Sequence, residues 1–213
     1  MKAAVWSALL VSTLASGSFA HNFNTVDDGL FDPKDTDLVA ARWIDGIGCP
    51  TGQKVSTDGK TTAPFTDPAC PTGDSGDREN AGLLLVKTGP TANFAAAGAD
   101  LRSVRGMTLT ELGYDIRTGS HCGGGAPRFN VVTEDGVTHF VGCSSGTVTT
   151  SSAGWRRLRW DPKNPAQAFP PITSTVRSIS IIFDEGQDAA AGEPSGAAII
   201  DNIDLNGKLV GER

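Results

Sequence analysis

The sequence predicts an all-β fold, an antiparallel sandwich or barrel. Three observations point there. The 213 residues include 26 Gly and 12 Pro, which break long helices. The acidic residues are 18 Asp against 6 Glu, and Asp favours turns and caps over helix interiors. About nine short apolar or alternating runs follow one another with turn-rich spacers, without the long helical patterns that a parallel α/β sheet needs.

Residues 1–20 read as a secretory signal peptide: Lys2 opens it, residues 3–15 are mostly apolar, and Ser18-Phe19-Ala20 puts small residues at a cleavage site. The apolar run falls short of the roughly 20 residues of a membrane span. Residues 21–213 are expected to form one soluble, secreted domain. Four cysteines remain, Cys49, Cys70, Cys122 and Cys143. An even count in an exported chain favours disulfides. Of the three pairings, the sequential ones, 49–70 and 122–143, are favoured.

Along the chain, residues 21–37 are polar and Asp-rich, a segment leading to a first strand at Val39–Ile44. Residues 46–80 carry Gly, Pro, Thr and Asp without periodicity, and read as a long irregular loop stapled by the first cysteine pair. Residues 82–88 (GLLLVKT) suit a strand buried on both faces. Residues 91–102 are ambiguous: the alanines allow a short helix that Gly98 interrupts. Strands then follow at 107–117, 127–133, 137–142, 155–160, 176–185, 197–205 and 208–210. Asp135-Gly136 between two alternating runs signals a hairpin.

A formal net charge of −6 argues against nucleic acid as a partner, because phosphates want a basic face. The best binding-like feature is the donor-rich alternation on strands. Arg128 and Asn130 alternate with Phe129 and Val131; in WRRLRW, Trp155, Arg157 and Arg159 share one face while Leu158 and Trp160 share the other with Arg156. With His139, these residues form a candidate ligand face of Arg128, Asn130, His139, Trp155, Arg157 and Arg159, with Trp155 or Tyr114 as an aromatic platform. Planar polar side chains of this kind suit sugars or carboxylated polymers.

Catalytic motifs fare less well. Gly73-Asp74-Ser75-Gly76 resembles a protease nucleophile motif, but Asp77-Arg78 follows it and His21 is the only upstream histidine, so the serine lacks a base. Gly142-Cys143-Ser144-Ser145-Gly146 has the wrong spacing for a nucleophile elbow. Asp184 and Glu185 form the best acidic cluster, with Asp188 nearby, yet strand alternation would aim them at opposite faces. Glu111 and Asp115, four apart, would share one.

Cleavage after Ala20 would leave His21 with a free α-amine, and with His121 or His139 that pair could brace copper. Asp32, Asp35, Asp37, Asp201 and Asp204 are candidates for a structural calcium, which takes oxygen ligands.

In the second half, Gly119-Ser120-His121-Cys122-Gly123-Gly124-Gly125-Ala126-Pro127-Arg128-Phe129-Asn130-Val131, Gly154-Trp155, 183–188 (FDEGQD) and 201–207 (DNIDLNG) resemble a group of bacterial secreted proteins. The closing strand resembles that of jelly-roll domains of the galactose-binding and carbohydrate-binding-module type. Over roughly residues 80–211 the resemblance implies a jelly-roll-like sandwich and a non-catalytic binding module for glycan. A carbohydrate-active enzyme, copper-dependent through His21 or hydrolytic, and a structural surface protein are the alternatives.

Overall fold

The computed structural model describes residues 23–52, 65–89, 91–186 and 196–211. The expected signal peptide, His21 and Asp188 lie outside the described residues. Twelve strands occur among the described residues: β1 Val26–Phe31, β2 Val39–Ile44, β3 Gly82–Lys87, β4 Ala96–Leu101, β5 Leu112–Arg117, β6 Arg128–Thr133, β7 Thr138–Gly142, β8 Thr147–Ser151, β9 Trp155–Trp160, β10 Val176–Phe183, β11 Ala197–Leu205 and β12 Lys208–Val210. No α-helix occurs among them, and residues 91–93 form a single 3₁₀ turn.

The strands build two antiparallel sheets. One runs β1-β4-β10-β6-β7; the other runs β2-β3-β11-β5-β9-β8, with β12 paired to β11. The chain alternates between sheets at β3, β4, β5 and β6, turns back in the β6–β7 hairpin, and alternates again at β9, β10 and β11. That crossing pattern is the double Greek key of a jelly roll.

The sheets bury their apolar faces against each other. The five-stranded sheet contributes Phe129, Val131, Ile179, Ile181 and Phe183, and the seven-stranded sheet Leu83, Leu85, Leu112, Ile116, Leu158 and Trp160. Tyr114 sits at the centre. Its ring lies 4.9 Å from Trp160 and 5.5 Å from Phe129, and its hydroxyl donates to the Pro127 carbonyl at 3.0 Å. Full burial pushes its pKa well above the usual tyrosine value. Tyr114 is therefore core, not a platform at the surface.

Three strands escape the sequence expectation, for different reasons. β1 and β8 are edge strands with mostly exposed residues, so no buried face imprints a period on them. β4 (AAGADL) is built of small residues because it packs tightly: a Cβ on Gly98 would collide with the Ile181 carbonyl of β10. The 91–102 segment is thus a strand after a short turn.

The turn signal at Asp135-Gly136 acts as its chemistry requires. Gly136 takes φ 85°, and the Asp135 carboxylate accepts from Thr133 and Val137. Asn206 and Gly207 take φ 57° and 84° between β11 and β12, the left-handed pair that a tight hairpin needs.

The cysteines pair as Cys49–Cys70 and Cys122–Cys143, with Cα separations of 6.0 and 5.1 Å. The described parts of the 46–80 loop lie over the outer face of the seven-stranded sheet, where Cys49, Ala69, Cys70 and Trp155 form a small second core. The Cys49 amide donates to Asp201 at 2.7 Å, Thr150 donates to the Ala69 carbonyl at 2.6 Å, and the Asp74 amide donates to Asn202 at 3.0 Å. The loop is thereby hydrogen-bonded to the sheet as well as stapled to itself.

Candidate functional site

The six residues expected to bind ligand divide between the two sheets. Trp155, Arg157 and Arg159 do share a face of β9, opposite Leu158 and Trp160. That face lies under the stapled loop: Trp155 is buried against the Cys49–Cys70 disulfide, and Arg157 is 7% exposed. Arg157 makes a two-pronged pair with Asp115, Nε to Oδ1 at 2.8 Å and Nη2 to Oδ2 at 2.9 Å, and also donates to both oxygens of Thr72. Arg159 pairs with Asp204 at 2.9 Å.

The surroundings are dense in buried carboxylates. Burial pushes the Asp115 carboxyl upward despite the opposing Arg157, and drives Asp201 well above the usual range. Burial, with the Asp74 charge adding to it, raises Asp77 to about 6. This region is a buried polar layer joining loop to sheet, with its guanidinium groups directed at protein acceptors.

His139 lies on β7 with 4% exposure. Its Nδ1 faces the Pro170 carbonyl at 2.7 Å and its Nε2 the Thr133 hydroxyl at 3.0 Å, so both ring nitrogens are occupied by the fold.

Arg128 and Asn130 are placed differently. They project from β6 onto the outer face of the five-stranded sheet, where cross-strand partners form rows perpendicular to the strands. One row reads Gly29, Gly98, Ile182, Arg128, Gly142, and the next Asp27, Asp100, Ser180, Asn130, Phe140. Gly29 and Gly98 put no side chain into the first row, which leaves a trough. A cavity of about 170 Å³ lies over Gly29, Gly98, Asp100 and Ser180. It continues into a cleft of about 710 Å³ lined by Phe31, Phe94, Arg128, Asn130, Asp184 and Glu185, the two sharing Phe31, Ala96 and Ile182. Phe31 is 60% and Phe94 73% exposed.

The polar wall is tightly held. Arg128 donates to both oxygens of Asp184 at 2.6 and 2.8 Å, to the Gly125 carbonyl at 2.6 Å and to Asn130 Oδ1 at 2.9 Å. A fork–fork pair of this kind fixes both side chains. Asn130 accepts through Oδ1, and among the described residues its amide NH₂ meets no acceptor, so it is a donor available at the cleft. Glu185 is hydrogen-bonded to His121 Nε2 and packs on the glycine loop, where a Cβ at Gly123 or Gly125 would strike its carboxylate. The Cys122–Cys143 disulfide pins that loop beside β7.

Asp184 and Glu185 were expected on opposite faces. Strand alternation stops applying because β10 ends at Phe183. Beyond it the chain leaves the sheet, and both carboxylates line the same cleft.

The aromatic groups at the cleft are phenylalanines that sequence reasoning missed. The available signals were Phe31 in a glycine-containing polar strand and the Gly123-Gly124-Gly125 run just before Arg128.

Among the described residues, the candidate metal ligands do not assemble. His121 and His139 sit in separate environments. Asp32 caps a turn through Thr36 and Asp37, whereas Asp201 and Asp204 are buried on the seven-stranded sheet. The metal-ligating atoms that do converge there belong to Cys49, Cys70 and Asp115, and both sulfurs are in a disulfide. Asp74, from the protease-like motif, accepts from the Gly76 and Gly211 amides and shapes a turn.

Neither a family model nor a curated protein sequence matches the chain. Among solved structures, a family 11 carbohydrate-binding module from Clostridium thermocellum, in complex with a β-1,3-1,4-mixed-linked tetrasaccharide, aligns with 89% of this chain and 100% of that one, at 16% identity and a TM-score of 0.38. Strand order, not this distant likeness, defines the fold above. No helix among the described residues is long and apolar enough to cross a membrane.

Proposed function

We propose that the protein is an exported, non-catalytic module that binds a glycan chain on the outer face of its five-stranded sheet. The observation that carries the reading is the open trough and cleft, with exposed Phe31 and Phe94 beside the planar Arg128–Asp184–Asn130 array. Sugars present apolar C–H faces and in-plane hydroxyls, and this wall offers both an apolar surface and fixed donors and acceptors. Arg128 is neutralised by Asp184, which favours uncharged chains over polyuronates. The two disulfides fit an oxidising extracellular compartment.

Isothermal calorimetry against soluble glucan, xylan, mannan and galactan tests this, with Asn130→Ala and Phe31→Ala/Phe94→Ala as variants. Binding of a neutral polymer, weakened at least tenfold by either change, supports the reading. No binding, or binding indifferent to both, rejects it.

A hydrolytic reading has one observation in its favour, the shared cleft of Asp184 and Glu185. Release of reducing ends that Glu185→Gln abolishes would establish it in place of simple binding.

A further inference from the structure

We infer that the same sheet face carries a second, remote subsite at Phe140 and Phe169, which grips the far part of a long linear glycan. This rests on the glycan reading above and extends it to chain length.

Phe140 and Phe169 form an antiparallel bridge, with both amide-to-carbonyl bonds made at 2.8 and 2.9 Å. The segment at Phe169 therefore extends the five-stranded sheet by one partial strand beyond β7. Phe140 is the cross-strand partner of Asn130, so its ring projects from the face that holds the cleft. It reaches back to Arg128, whose guanidinium carbon lies 6.0 Å from the ring centre. Phe140 is 44% and Phe169 74% exposed, large apolar surfaces that the core does not use.

The row containing Asn130 leads without a break from Asp27 on β1 to this pair. From β1 to the Phe169 segment there are five inter-strand steps, about 24 Å at roughly 4.8 Å each. Phe31 and Phe94 stand at one end, Phe140 and Phe169 at the other, and the hydrogen-bonding wall lies between. A disaccharide held at the Phe31–Phe94 end of the cleft falls short of Phe169, whereas an extended oligosaccharide crossing the strands reaches both ends. The occupant is thus the same uncharged chain, continuing past Arg128.

Calorimetry with cello-, xylo-, manno- and laminari-oligosaccharides, from the disaccharide to the hexaose, tests the inference. Wild type is expected to bind the hexaose roughly tenfold or more tighter than the disaccharide, the scale set by burying about one aromatic face. Phe169→Ala alone should lose that gain while binding the disaccharide as wild type does, because Phe169 lies one strand beyond Phe140; Phe140→Ala/Phe169→Ala should lose the gain as well. Both side chains are exposed and the bridge uses backbone atoms, so an unchanged melting temperature serves as the folding control. Equal wild-type affinity for short and long chains, or a length gain that survives both variants, overturns the second subsite alone. Failure of wild type to bind any of these chains overturns the glycan reading with it.

Discussion

Replacing Arg157 by Met separates architecture from recognition. Arg157 pairs bidentately with Asp115, and both side chains are almost wholly buried, at 8% and 0% exposure. Removing one partner of a buried pair leaves an uncompensated charge, which costs about 3–5 kcal/mol. A domain of this size loses roughly 2–4 °C per kcal/mol, so the melting temperature should fall by on the order of 10 °C. The deficit has a predicted pH dependence. Burial already raises Asp115, and loss of Arg157 raises it further. A carboxyl whose folded pKa exceeds its unfolded value is best tolerated when protonated, and its stability contribution is lost as pH rises through the folded pKa. The deficit should therefore shrink as the pH is lowered from 8 to 5. Arg157→Met with Asp115→Leu should recover most of the loss, because an apolar pair of similar bulk avoids the desolvation penalty. Thermal denaturation across pH measures all three. Glycan affinity below the melting transition should stay unchanged, since β9's outer face lies under the loop. A variant that melts like wild type yet no longer binds would refute this reasoning and return the site to β9.

Further expectations follow from the same geometry. Asp77→Asn should stabilise the protein at pH 7–8 in EDTA, and flatten the rise in melting temperature on acidification through about pH 6, because burial holds that carboxyl near 6. Cys49→Ser/Cys70→Ser removes a closed loop with a sequence separation of 21 and should cost about 3 kcal/mol by chemical denaturation, leaving the five-stranded face able to bind. Gly125→Ala places a methyl against Glu185; it should weaken glycan binding several-fold by calorimetry through displacement of the Arg128 anchor.

The fold was legible because buried β faces write their period into the sequence. β6, β9 and β10 all show it, and Asp135-Gly136 marks a hairpin by its own chemistry. The edge strands β1 and β8 have no buried face to write, and β4 is small-residued because its neighbours approach closely. For the site, Arg128 and Asn130 could be read from alternation on β6, but alternation does not tell which outer face a loop covers. Arg157 has the alternation of a ligand donor but donates to Thr72 of the stapled 46–80 loop, and Arg159 pairs with Asp204 on the sheet itself. Phe31, Phe94, Phe140 and Phe169 are scattered across 139 positions of sequence, and only sheet order brings them to one face.

The most direct test of where a glycan lies is a nuclear magnetic resonance titration of the labelled protein with a bound neutral oligosaccharide. The Asn130 side-chain amide and the Gly29, Gly98 and Arg128 backbone amides are predicted to shift together. Shifts clustered instead on Trp155, Arg157 and the 65–74 loop segment would contradict the account.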